Sequence, residues 1–270
     1  MKRILLVGAA GRIGKVLRAG LAGPDRILRL VDIAPLGVAA EREEICNIDA
    51  TDLDALILAM KDVDVVVNLA AFPEEADWET IFPLNYDLTR TAFEAARQAR
   101  VTRFVYASSV QAVGFHPLAT TITDDVRIKP SGFYGVSKAF GEALGSLYAD
   151  KYGLSVGCLR IASFEERPTD ERMLSTWLSF DDGIHLFNCA IDAPDHHYYR
   201  VFGVSNNTRS RVDNSHVAWL GYRPSSDAED YLDEVRATGK QLGPLGGITQ
   251  GGGACDVGFS GDSDAALKAC

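Results

Sequence analysis

Lys2-Arg-Ile-Leu-Leu-Val-Gly-Ala-Ala-Gly-Arg-Ile-Gly-Lys-Val-Leu-Arg-Ala-Gly20 sets a short apolar run, a glycine-spaced turn and a helix-like stretch end to end. The run reads as a first β-strand: it is too short for a secretion signal, meets glycine at once and passes into a helical pattern. Gly8, Gly11 and Gly14 fall where a strand hands over to a helix. There, missing side chains let the backbone approach a pyrophosphate at the helix N-terminus; without a ligand the same spacing makes only a tight turn. Further on, Asp32 closes the apolar run ILRLVDI. That is the register, about 20 residues past the glycines, in which a carboxylate accepts from ribose hydroxyls and repels a 2′-phosphate. The expected cofactor is therefore NAD rather than NADP, with Arg12 offering charge to a phosphate but Asp32 dominating. Asp49 is expected either to meet the adenine amine or to cap a helix.

Outward from this unit, apolar runs alternate with helical patterns: LDALILAM, VDVVVNLAA, TRTAFEAARQA, RFVYASS, the stretch from Tyr134 to Tyr152, and VGCLRIAS. Alternation of this kind predicts βαβ units around a parallel sheet covered on both faces, a Rossmann-type doubly wound α/β fold. After it, residues 172–193 read as helical, YYRVFGVSN as a strand and DAEDYLDEVRA as a helix, together a small C-terminal substrate cap. The division expected is one dinucleotide-binding domain over residues 1–238, with substrate elements mainly from 164–238. Residues 239–270, rich in glycine, are expected to form a flexible tail, or an arm across a neighbouring subunit.

The chain has 270 residues, 47% of them hydrophobic and 24% charged, with a net charge of −10. It is long enough for a substantial core, and its acidity argues against a nucleic-acid or anionic-membrane surface. No stretch approaches the roughly 18 to 20 apolar residues of a membrane span. The five cysteines, Cys46, Cys158, Cys189, Cys255 and Cys270, are scattered, with no metal-ligand spacing. They are expected to be reduced thiols of a cytoplasmic protein without a metal.

Tyr134 and Lys138 stand four apart in FYGVSKAFGE, so a helix puts both on one face. A phenol of pKa about 10 is too weakly acidic to serve as a base at neutral pH, and a fixed ammonium beside it favours the phenolate. Tyr134 is thus a candidate general base, against the bland alternative of a solvated helix face.

The glycine pattern, Asn68-Leu-Ala-Ala, Asn85, Tyr106-Ala-Ser-Ser-Val and Tyr134-Gly-Val-Ser-Lys138 come in an order that resembles the extended, epimerase-like short-chain dehydrogenase/reductases. Within them, Arg172-Met-Leu-Ser-Thr-Trp-Leu-Ser, Val212-Asp-Asn-Ser-His, Leu220-Gly-Tyr-Arg-Pro and Gln250-Gly-Gly-Gly resemble the uronate dehydrogenases and related NAD-dependent sugar 1-dehydrogenases. The resemblance implies that Ser109 orients the reacting hydroxyl, with Ser108 as the neighbour that could be confused with it. It implies further that Asn85 sustains a proton path behind Lys138, and that Ile13, Leu69, Ala70, Ala71 and Ser163 join the cofactor contacts. Arg172 would meet an anionic group on a sugar, although pairing with Glu165, Glu166 or Asp170 is the plain competitor. The implied activity is oxidation of an anomeric carbon to a lactone, and the family often forms homo-oligomers.

Departures from the pattern bear on the substrate. Uronate dehydrogenases carry Ser-Ser-Asn-His after the fifth strand, where this chain has Ser108, Ser109, Val110 and Gln111, and a serine where this chain has Pro73. Candidate substrates are therefore a hexuronate, a hexose 6-phosphate or a 6-sulfonated hexose such as sulfoquinovose. A nucleotide-sugar epimerase and a non-catalytic NAD-sensing regulator are the alternatives. The first usually needs a larger C-terminal region, and the second commonly lacks the tyrosine or the lysine.

Overall fold

The computed structural model describes residues 1–268; Cys270 lies outside them. Strand β1 (Lys2–Val7) leads into α1 (Arg12–Gly20), followed by β2 (Arg26–Asp32), β3 (Glu43–Asn47), α2 (Leu53–Ala59) and β4 (Val65–Asn68). Helix α3 (Trp78–Ile81) runs through a π-helical turn, Phe82–Asp87, into α4 (Leu88–Gln98), and β5 (Arg103–Ser109) follows. Then come α5 (Phe133–Tyr152), β6 (Ser155–Ile161), β7 (Ser163–Phe164), α6 (Met173–Thr176), β8 (Trp177–Leu178), α7 (Phe180–Ile191) and β9 (Tyr198–Gly203). Two short helices, α8 (Leu232–Ala237) and α9 (Ser263–Leu267), complete the described chain.

The main sheet runs in the order β3-β2-β1-β4-β5-β6-β9, every pair parallel. The order reverses direction between β1 and β4, so the strand ends diverge there and leave a crevice at the carboxyl edge. Alternate side chains of each strand feed opposite faces. Ile4 and Leu6 join Leu17 of α1 and Phe187 of α7 on one face, and Leu5 and Val7 join Leu56 of α2, Phe93 of α4 and Tyr148 of α5 on the other. Each fully buried aliphatic side chain contributes about 1.5–3 kcal/mol, which is why these strands read as unbroken apolar runs.

Two elements sit differently from the sequence reading. YYRVFG is the seventh strand of the main sheet, paired with β6 from Val156↔Tyr198 to Ile161↔Gly203, rather than part of a cap. Its alternate residues Tyr199 and Val201 pack into the α1/α7 core, so the strand is held on the sheet by burial. Residues 239–268 are not a free tail. Leu245, Thr249, Gln250 and Cys255 are buried. Gln250 N donates to His116 O at 2.9 Å, Gly251 N to Gly114 O at 2.9 Å, and Lys129 Nζ to Ala266 O at 2.7 Å. Glycine-rich backbone satisfies its own polar groups by lying flat on the loop that follows β5.

The four described cysteines are free thiols, and no described helix is long and apolar enough to cross a membrane. Inside the sheet layer, Glu142 of α5 takes Arg160 Nε at 2.9 Å and Nη2 at 2.8 Å, and Ser108 Oγ donates to its Oε1 at 2.6 Å. Both charges are nearly inaccessible to water. Removing one partner strands the other, so Arg160→Met should cost about 3–5 kcal/mol in urea unfolding. A change below about 1 kcal/mol would show that the carboxylate finds other partners.

Candidate active site

A cavity of about 430 Å³ opens at the carboxyl edge beside the β1/β4 crevice. Its floor is the first strand–helix turn: Gly8, Gly11, Arg12, Ile13 and Gly14 all line it. Gly8 has φ +87°, and a Cβ there would stand 2.8 Å from Ala70 N, while a Cβ on Gly14 would stand 2.4 Å from Gly8 O. Only a backbone without side chains can form this turn, and it leaves helix N–H groups open to an anion. Asp32 is held in place from both sides: Oδ2 accepts from Ala10 N at 2.8 Å and Oδ1 from Ala34 N at 2.9 Å. The turn and Asp32 fit a dinucleotide. Arg12 forms an ion pair with Glu165, tying the α1 turn to the segment after β7. Asp49, like Asp32, is not among the residues lining this cavity; its carboxylate takes Thr51 N at 2.9 Å and Thr51 Oγ1 at 2.7 Å, and Asp52 rather than Asp49 caps α2.

The opposite wall carries the reactive groups. Ser109, Tyr134 and Lys138 face the same cavity, together with Leu69, Ala71 and Pro73. Lys138 is buried, donates to Ala107 O at 2.8 Å, and has its Nζ 5.4 Å from the Tyr134 ring centre. Burial pushes the Tyr134 phenol up to about 12; hydrogen bonding with Ser109 and the charge of Arg12 pull the other way. Burial also brings Lys138 down to about 8. Desolvation of the phenolate is the largest of these influences on Tyr134. The two serines separate cleanly. Ser108 spends its hydroxyl on Glu142, whereas Ser109 Oγ accepts from Gln111 N at 3.1 Å and acts on the phenol.

Several expected contacts stand behind the wall rather than in it. Asn85 is a strut: Oδ1 accepts from Phe72 N at 2.8 Å, and Nδ2 donates to Phe72 O at 3.2 Å and to Ser137 Oγ at 3.0 Å. Its amide is engaged on every side, so it positions the β4 loop against α5, next to Lys138. Ala70 packs against Gly8 from behind. Val110 is buried with Val113, Ile122 and Phe202. Gln111 donates to Gly251 O at 2.9 Å and accepts from Ser131 Oγ at 2.6 Å. Arg172 donates to Gln250 O at 2.8 Å and to Ser163 Oγ at 2.8 Å, and it lines a separate cavity of about 290 Å³ with Arg236 and Lys240 rather than the one that holds Tyr134. Among the described residues Arg172 makes no ion pair, so the competitors Glu165, Glu166 and Asp170 are not its partners; burial lowers its pKa and Asp170 acts only as a more distant charge. Sequence reasoning missed Glu74 on the cavity rim and Ile161 and Phe164 on its wall. No motif flagged them, because strand ends meet here only through the sheet.

Residues 4–179 match the NAD dependent epimerase/dehydratase family. The chain belongs to that family. It is 37% identical over 236 residues to a uronate dehydrogenase of Pseudomonas putida, covering 87% of this chain and 88% of that one. It is 35% identical over 254 residues to an NAD-dependent glucose-6-phosphate dehydrogenase of Haloferax volcanii, covering 86% and 96%. The crystal structure of uronate dehydrogenase from Agrobacterium tumefaciens superposes with a TM-score of 0.90 at 37% identity, over 95% of this chain and 97% of that one. The protein is thus an extended short-chain dehydrogenase/reductase similar to the uronate dehydrogenases, and its cofactor is NAD. Among the described residues no cluster of His, Cys, Asp or Glu is arranged to hold a metal.

The depressed Lys138 carries a signed consequence for stability. Below pH about 8 both folded and unfolded chains hold the proton, and the folded state bears the full cost of the buried charge. Between about 8 and the ordinary lysine value of 10.5 the folded lysine is neutral while the unfolded one is charged, so this cost fades as pH rises. Lys138→Met should therefore gain about 1–3 kcal/mol at pH 7 in the cofactor-free protein, after allowing for the lost bond to Ala107 O. The gain should shrink toward pH 10 while turnover is lost at every pH. Denaturant melts at pH 7 and pH 10 test this, and a variant less stable than the parent at pH 7 would refute it.

Proposed function

We propose that this protein oxidises the anomeric carbon, C1, of an aldose bearing an anionic group at C6, releasing the aldonolactone. Bound over the glycine turn, NAD supplies the hydride acceptor. Tyr134, as phenolate, removes the proton of the C1 hydroxyl, and Ser109 holds the same hydroxyl by hydrogen bonding. Lys138 keeps positive charge within reach of the phenol. The similarity to enzymes named for uronate and for glucose 6-phosphate, both anionic sugars, supports the substrate class.

The observation that carries the anionic end is Arg172. Its guanidinium donates to two neutral oxygens, Gln250 O and Ser163 Oγ, and forms no ion pair among the described residues. A desolvated cation bonded only to neutral acceptors favours an incoming carboxylate, phosphate or sulfonate. The substrates ranked by this reading are hexuronate, 6-sulfo-hexose such as sulfoquinovose, and hexose 6-phosphate.

NADH formation should be followed with glucuronate, galacturonate, sulfoquinovose, glucose 6-phosphate and glucose. One anionic sugar should turn over well above glucose. Arg172→Met should lower kcat/KM for that sugar about 10- to 100-fold, as loss of a charge-assisted pair worth roughly 1.5–3 kcal/mol requires, with little change for glucose. Tyr134→Phe should abolish turnover with NAD still bound. Preference for glucose would remove the anion anchor, and silence across the panel would point to an epimerase or an NAD-sensing protein.

A further inference from the structure

We propose that Glu75 is a positioning residue for the catalytic tyrosine, capping the helix that carries Tyr134 from the loop that follows β4. The inference rests on Tyr134 being the base. Helix α5 starts without the usual local devices: Gly132 at its N-cap has no side chain to offer, and its first turn contains no acidic residue. The first N–H groups of a helix have no partner within it, and a carboxylate is the acceptor best matched to them. Glu75 supplies it. Oε1 accepts from Phe133 N at 2.7 Å and Oε2 from Tyr134 N at 3.1 Å, a two-pronged contact across 58 residues of chain. The bare Gly132 makes room, since a Cβ there would stand 2.3 Å from Oε2.

The same short loop carries Pro73 and Glu74, which line the cavity, and Asn85 fastens its Phe72 to Ser137 one turn further along α5. Two ties at adjacent turns of α5 therefore join the substrate-facing wall to the tyrosine backbone, so wall and base keep one geometry. Losing the cap frees the first turn of α5, and a misplacement of about 1 Å at a reacting group can cost around 100-fold in rate.

The test uses the full-length enzyme, NAD and the best sugar of the panel. Glu75→Ala should lower kcat about 10- to 100-fold while the NAD dissociation constant and the sugar KM stay within about threefold. Glu75→Gln, which keeps one acceptor oxygen, should fall between parent and alanine variant. Gly132→Ala, which crowds the carboxylate without removing it, should lower kcat in the same sense and covers the case in which Glu75→Ala does not fold. A purely structural cap would lower the melting temperature and leave kcat per folded enzyme unchanged, and that result overturns the proposal. Tyr134→Phe is the control: if it stays active, the base assignment itself fails, whereas an inactive Tyr134→Phe beside a fully active Glu75→Ala sinks only the role of Glu75.

Discussion

Helix α5 lies against the sheet more closely than an ordinary helix face permits, and the site depends on that approach. A Cβ on Gly141 would stand 2.2 Å from the Tyr106 ring. With the backbone this near, residues four apart on the same face, Tyr134, Lys138 and Glu142, reach successive positions along β5 and its neighbour: the mouth of the cavity, Ala107 O, and then Ser108 with Arg160. The Tyr134 phenol, its neighbouring ammonium and the buried ion pair are thus one row of side chains running from cleft to core. The pair is a weak source of stability, because desolvating two charges offsets most of their attraction. Its contacts join α5 to both β5 and β6 two turns beyond Tyr134.

Burial serves position and works against ionisation. The cavity that holds Tyr134 still also pushes its phenol up to about 12, far from the value a neutral-pH base needs. Lys138, its Nζ 5.4 Å from the Tyr134 ring centre, shares that buried face and donates to Ala107 O.

What the sequence made legible were features with local causes. The glycine turn, Asp32, and the spacing of Tyr134 and Lys138 depend on neighbours a few residues away, and they stand in the structure where the pattern put them. Features with distant causes stayed hidden. Glu75 caps a helix 58 residues downstream, so no N-cap pattern announces it. YYRVFG carries the same apolar signature whether it edges a cap or a sheet, and only its pairing with β6 decides. The glycine-rich end misled for a physical reason: low side-chain content usually means no core to bury, yet here the backbone itself is what packs.

That packing ties the C-terminal segment to side chains on two other elements. Gln250 O holds Arg172 and Gly251 O holds Gln111, so two positions that the family pattern ties to the sugar are both fastened to the same stretch. A Cβ on Gly252, at φ +64°, would stand 2.4 Å from Arg172 Nε, so the guanidinium rests directly on bare backbone. Val110, where relatives resembling this chain have asparagine, has withdrawn into an apolar cluster, and Gln111 has become a strut. At positions 110 and 111 the loop after β5 therefore packs inward, and the C-terminal backbone is what fixes both Gln111 and Arg172.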